Sequence, residues 1–169
     1  VLDTSRLRYL VSRETGVATQ NIHAYIAGEH GDSEVALWSS AEIGNVPLEH
    51  WGPTLEGKPF DIGLRKRIAQ DVVESAYKII EGKGATNYAI GLAASNIAGA
   101  VLRDENRVLT VSSLLEDWEG ISDVCMAAPT IVGRSGAGRV LNPPLTLNER
   151  DGLTASATRL RQVARDLGF

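Results

Sequence analysis

Between Asp61 and Leu102 the sequence carries two helical patterns in succession, and two strand-like runs follow at 107–115 and 123–133. Consecutive helices and consecutive strands cannot alternate into a parallel βαβ sheet. This order therefore specifies a mixed α+β domain, in which long helices cover a mainly antiparallel twisted sheet. The first helical pattern sets Ile62, Ile68, Val72, Ala76, Ile79 and Ile80 along an apolar stripe, with Arg65, Lys66, Arg67, Asp71 and Glu74 largely opposite. EGKG at 81–84 breaks it. The second, ATNYAIGLAASNIAGAVL over 85–102, predicts a largely buried helix whose Gly91 and Gly99 allow close helix contact.

The flanking segments fit the same plan. DTSRLRYLVSRET over 3–15 predicts a helix with Leu7, Leu10 and Val11 on one face, Asp3 and Thr4 able to cap its first turn, and Gly16 to stop it. NIHAYIAGEH alternates Ile22, Ala24 and Ile26 against His23 and Tyr25, the pattern of a half-buried strand running into Gly28. Residues 44–60, with Pro47, Pro53 and Pro59, read as an irregular loop, and RSGAGRVLNPPL as turns. Thr146 and Glu149 form a capping box before a last helix carrying Leu153, Ala157, Leu160, Val163, Ala164 and Leu167. No strand leads through G-x-G-x-x-G into a helix, so no dinucleotide-binding unit lies within residues 1–169, which are expected to form one domain.

At 169 residues and 43% hydrophobic content the chain can bury one core. A net charge of −4 without any basic block argues against nucleic acid or an anionic membrane as partner. Cys125 is the one cysteine, which leaves no disulfide framework or thiolate metal site and fits a reducing, cytoplasmic setting. No run of about 18 apolar residues is present to span a bilayer. The chain opens at Val1 and enters a helical pattern almost at once, so it is expected to be the C-terminal part of a larger protein.

His30, just past the expected strand end, would be held by the sheet yet open to a cleft, a position suited to catalysis. The acidic residues around it, Glu29, Asp32 and Glu34, point to no metal, because neighbours on a strand face opposite ways and no second histidine is spaced to join them. A metal-dependent hydrolase remains a weaker alternative. Ser33 lacks the glycine-flanked elbow of a serine nucleophile. On the first helix Asp3 and Arg6 share a face and Arg8 is turned away. By itself this is an intrahelical ion pair. With His30 as partner, Asp3 could orient the imidazole and Arg6 could grip a carboxylate with a two-pronged hydrogen bond.

The segments VLDTSRLRYL, NIHAYIAGEHGDSEVALWSS, IIEGKGATNYAIGLA and DVCMAAPTIVGR, in this order, resemble the C-terminal catalytic half of the lactate/malate dehydrogenase family, its bacterial L-lactate dehydrogenases in particular. The resemblance covers almost the whole chain. LEDWEG at 115–120 departs from the tyrosine-glycine usual there. The resemblance implies an NAD-dependent oxidoreductase that reversibly reduces pyruvate to L-lactate, with His30 as proton donor and acceptor and Asp3 as its orienting carboxylate. It implies Arg6 as carboxylate anchor, Thr86 in the substrate pocket and Ile90 beside the nicotinamide, one helical turn after Thr86. Arg8 and His23 match an effector site for fructose 1,6-bisphosphate, and the family is usually tetrameric. An NAD-binding domain is expected before Val1, along with the loop that separates lactate from malate activity. Malate or another 2-hydroxy acid, and an isolated substrate-side or oligomerisation module inactive without its cofactor domain, stand as the alternatives.

Overall fold

The computed structural model describes residues 1–169, apart from the side chain of Lys83. The first helix, α1 (Leu2–Thr15), buries Thr4, Leu7 and Val11 at spacings of three and four. It stops at Gly16, whose φ of 73° lies in the left-handed region and whose N–H reaches the Ser12 carbonyl at 2.8 Å. Asp3 and Thr4 do not cap this helix. Both lie inside it, and the cap residue Val1 makes no side-chain cap bond. The Thr4 hydroxyl is spent on tertiary structure instead: it bonds the Thr110 hydroxyl at 2.8 Å and accepts the Ile26 N–H at 3.0 Å. A buried threonine thus ties α1 to two strands.

The single strand expected over 22–28 is two short ones, β1 (Ile22–His23) and β2 (Ile26–Ala27). Each follows a different partner. β2 pairs antiparallel with β3 (Val35–Ala36), while β1 pairs with β4 (Glu42–Ile43). β4 in turn pairs with β5 (Val46–Pro47), inside the segment expected to be irregular. The change of partner at Ala24 and Tyr25 interrupts the ladder although the burial alternation runs on.

Helix α2 (Ile62–Lys83) has 22 residues, about 33 Å of helix. Asp61 caps it by accepting the Leu64 N–H at 2.9 Å. Leu64, Ile68 and Val72 join Leu7 and Val11 of α1 in one core cluster. Ile62, Ile79 and Ile80, assigned by periodicity to the same stripe, are exposed, because the buried face of α2 begins at Leu64 and ends after Val72. The helix also runs through EGK and stops only at Gly84.

α3 (Tyr88–Leu102) is not the buried helix its composition predicts. It buries Gly99 and Ala100 against Leu109 and Val132, while Leu92 and Leu102 are 70% and 77% exposed. Among the described residues nothing covers that side. A Cβ at Gly91 would meet nothing within 4 Å, and one at Gly99 would first meet the Arg103 guanidinium.

β6 (Arg107–Leu115) and β7 (Val124–Gly133) pair antiparallel from Arg107 opposite Val132 to Leu115 opposite Val124. A short β8 (Gly136–Val140) adds to β7 where turns were expected. Its GAGRV carries too little apolar alternation to announce a strand. A second core packs Met126 and Ala128 of β7, Trp118 and Ile121 against Leu153 and Ala157 of α4 (Leu147–Asp166). The domain is thus α+β with three small antiparallel sheets. No helix among the described residues is long and apolar enough to cross a membrane.

The capping box at the start of α4 forms as read and does more than cap. The buried Glu149 carboxylate accepts the Thr146 N–H at 2.7 Å, the Ser39 N–H at 3.0 Å and the Ser39 hydroxyl at 2.5 Å. Burial opposes its charge, yet the Ser39 and Thr146 hydrogen bonds outweigh it and hold the carboxyl below its ordinary value. A depressed carboxyl stabilises the fold above the ordinary glutamate range and stops doing so as pH falls through its folded value. Glu149→Gln is expected to lower stability by about 2 kcal/mol at neutral pH, with the gap to the unsubstituted protein closing in acid. Thermal unfolding of both proteins from pH 7 down to pH 3 checks this.

Candidate active site

His30 stands in a turn that the rest of the domain holds from three sides. Gly28 and Ala127 exchange backbone hydrogen bonds at 2.9 and 3.1 Å, which ties the turn to β7. At Gly28, with φ of 100°, a Cβ would lie 2.9 Å from the Ser156 hydroxyl, so the close approach of α4 requires glycine there. That hydroxyl accepts the Glu29 N–H at 2.7 Å and lies 3.2 Å from the Ser33 hydroxyl, which in turn donates to the Glu29 carboxylate. Arg159 of α4 lies 3.3 Å from Glu29 and 3.8 Å from Asp32. Two of the acidic residues around His30 are therefore a clamp onto α4.

The third side is α1. His30 Nδ1 lies 2.7 Å from Asp3 Oδ2, and Arg6 Nη1 donates to Asp3 Oδ1 at 2.9 Å. The Asp3 and Arg6 side chains are 13% and 12% exposed, and the imidazole is 70% exposed. A carboxylate only accepts, so the hydrogen in the 2.7 Å bond sits on Nδ1. Nε2 is left to exchange a proton with a bound molecule. Asp3, Arg6 and His30 line one cavity, together with Thr86 and the α2 residues Val72, Ala76 and Ile80. One wall of this cavity is charged and the other apolar.

Glu34 lines the same cavity, and burial, then the nearby Asp3 charge, push its carboxyl up to about 8; Arg6 and the Val1 ammonium pull the other way. Donor atoms of Asp3, His30 and Glu34 lie within 4.8 Å of one another. That spacing suits a shared proton or a cation, and the guanidinium paired with Asp3 opposes a cation.

The remaining sequence candidates fall in different places. Thr86 reaches the cavity from the segment before α3, whose cap residue is Asn87. Because α3 begins at Tyr88, Thr86 and Ile90 are not one helical turn apart on a shared face. Ile90 is 53% exposed and lies outside the set that lines the cavity. Arg8 donates to the Ala24 carbonyl at 3.0 Å and stacks 5.0 Å from the centre of the Tyr25 ring. His23 is exposed and lines a separate cavity with Tyr25, Ser40 and Glu42. Ser156 and Arg159 were not singled out from sequence, and Glu34 was weighed only as a metal ligand. Ser156 left a trace, a small polar residue three positions after Leu153 and beside Ala157 on the buried stripe.

Known proteins resemble this chain over almost all of its length. The family described as lactate/malate dehydrogenase, alpha/beta C-terminal domain, matches residues 1–167. An L-lactate dehydrogenase of Bifidobacterium animalis subsp. lactis is 52% identical over 99% of the chain and 52% of its own length. One from Treponema denticola is 45% identical over 99% of the chain and 53% of its own length. Among solved structures, MGS-M5, a lactate dehydrogenase from a Medee basin deep-sea metagenome library, superposes with a TM-score of 0.92 at 34% identity. It is matched over 99% of this chain and 53% of that one. The chain thus spans about half the length of the relatives it matches.

The anchoring of the His30 turn gives a direct expectation. Ser156→Ala removes the buried acceptor of the Glu29 N–H and is expected to cost about 1–2 kcal/mol. Amide hydrogen exchange should then quicken at Glu29–Ser33 before it quickens in β6 or β7; equal protection of the turn in both proteins would contradict the assignment.

Proposed function

We propose that this chain, which belongs to the lactate/malate dehydrogenase family, forms the substrate-side half of an NAD-dependent L-lactate dehydrogenase. The observation that carries the reading is the placement of Asp3, Arg6 and His30 on one cavity, with His30 Nδ1 bonded to Asp3. The Arg6 guanidinium takes the carboxylate of pyruvate or lactate, since its pairing with Asp3 uses only part of its set of donors. His30 Nε2 gives a proton to the carbonyl oxygen of pyruvate as it becomes lactate, and takes it back in the reverse direction. Asp3 steadies the imidazolium that the reduction starts from. Val72, Ala76 and Ile80 keep that side of the cavity apolar, so that the charged contacts with substrate are confined to the wall opposite.

The apolar wall beside an exposed imidazole suits the flat nicotinamide ring, and Thr86 and the half-exposed Ile90 are the residues of this chain offered to it. When bound, NADH supplies the hydride. Its own binding domain is proposed to precede Val1, and without it residues 1–169 are a substrate-side module without turnover. Lactate is favoured over malate or another 2-hydroxy acid by the names of the relatives above. The intact protein is proposed to be a cytoplasmic homotetramer that works in fermentative glycolysis, and the uncovered apolar side of α3 supports burial against another domain or subunit. Arg8 and His23 are proposed to bind fructose 1,6-bisphosphate where two subunits meet, and the exposure of His23 supports that reading.

In the full-length protein His30→Asn is expected to lower kcat for pyruvate by about 10²- to 10⁴-fold. Asp3→Asn should cost less and move the pH profile of kcat/KM to lower pH, because the imidazolium loses its carboxylate. Stopped-flow kinetics from pH 5 to 9 measures both, and an unmoved profile would remove Asp3 from its role. Fructose 1,6-bisphosphate is expected to lower the KM for pyruvate in the unsubstituted protein and to have no effect on Arg8→Gln. An unsubstituted protein indifferent to the bisphosphate would retire the effector site.

A further inference from the structure

Glu34 is the one carboxyl of the cavity that neither the clamp nor the proton exchange uses. Glu29 and Asp32 are held by Arg159, and Asp3 is divided between His30 and Arg6. Glu34 Oε1 is buried, and among the described residues no group hydrogen-bonds it. With one oxygen buried and unpartnered, a carboxylate there carries a desolvation cost that a carboxylic acid largely avoids. The groups that face it are Asp3 and Arg6 from α1, the Val1 ammonium just before it, His30 and Asp32 from the turn, and Tyr77 from α2. The contributions of Asp3 and Arg6 oppose each other. If a peptide bond replaces the Val1 ammonium, one attraction that favours the carboxylate is removed.

We propose that Glu34 is a third proton-carrying member of the site, a positioning residue whose charge state governs how readily the cavity accepts an anionic substrate beside Arg6. The inference rests on the dehydrogenase reading for its substrate and on geometry for its coupling. Protonated, Glu34 leaves the Arg6 guanidinium opposed by Asp3 alone, and a substrate carboxylate finds net attraction. Ionised, it adds a second negative charge within 4.8 Å of the Asp3–His30 pair and competes with that carboxylate for the same cation. Burial and Asp3 put the change at about pH 8, inside the range over which turnover is measured. The effect therefore falls on KM, while proton transfer at His30 Nε2 keeps its own pH dependence.

The test uses the full-length protein and Glu34→Gln, which fixes the uncharged state. The His30 ring signal in NMR titration is expected to show its own midpoint and a second inflection near pH 8. Glu34→Gln should remove the second inflection and leave the first in place. If the substitution instead lowers the main midpoint, Glu34 is already anionic at neutrality and the proposal is overturned. It is equally overturned if both titrations coincide. In turnover, KM for pyruvate should rise between pH 7 and 9 by about tenfold more in the unsubstituted protein than in Glu34→Gln, with kcat following one profile in both. A carbon-13 titration of the Glu34 carboxyl in the unsubstituted protein reads the same change if the variant does not fold: an inflection near pH 8 supports the proposal, and one in the ordinary glutamate range overturns it. The NMR arms need no turnover, so a protein that fails to reduce pyruvate sinks the dehydrogenase reading without deciding the coupling.

Discussion

The hydrogen bond from His30 Nδ1 to Asp3 Oδ2, 2.7 Å long, joins two segments that share no secondary structure. Asp3 belongs to the first turn of α1 and His30 to a turn after β2. Their meeting is set by what anchors each of them. On one side Thr4, the residue after Asp3, is bonded to Thr110 and to the Ile26 N–H. On the other, Gly28 is bridged to Ala127 and the Glu29 N–H is held by Ser156. The dyad is therefore a consequence of five elements, α1, β2, β6, β7 and α4, packed in register. Its geometry is as rigid as the two cores beneath it, which suits a group that must meet substrate at one distance and angle.

Charge in this site is sorted by position rather than by residue type. Three carboxyls lie within four residues of His30 and a fourth, Asp3, reaches it from α1, and they divide among three tasks. Asp3 orients the ring, Glu29 and Asp32 fasten the turn to Arg159, and Glu34 is half-buried beside the cavity with its carboxyl raised. The environment decides which of them is a structural ion pair and which stores a proton. Without the positions of α1 and α4 the same letters read as an undivided acidic cluster.

That is also the measure of what could be read from sequence. Local rules served well where the partner was local: the capping box of Thr146 and Glu149, the glycine stop at Gly16, the Asp3–Arg6 spacing, and the strand pair at 107–115 and 123–133. They failed where the outcome depended on what lies opposite. Periodicity marked the stripe of α2 but could not say that its buried face ends after Val72. The apolar content of α3 called for a cover that residues 1–169 do not contain. Ser156 acts on a turn 127 positions away in the chain, and Arg159 on the same turn, a distance across which spacing rules carry no information. Thr86 lines the cavity from a segment outside any helix, so the helical argument that linked it to Ile90 does not apply.

The claim beneath all of this is that Asp3 fixes the proton on His30 Nδ1 and leaves Nε2 to the substrate. Nitrogen-15 NMR of the full-length protein, taken where the ring is neutral, reads the tautomer directly from the proton coupled to each ring nitrogen. The account predicts a proton on Nδ1 of His30 and an unprotonated Nε2. A proton found on Nε2, with Nδ1 bare, would contradict it.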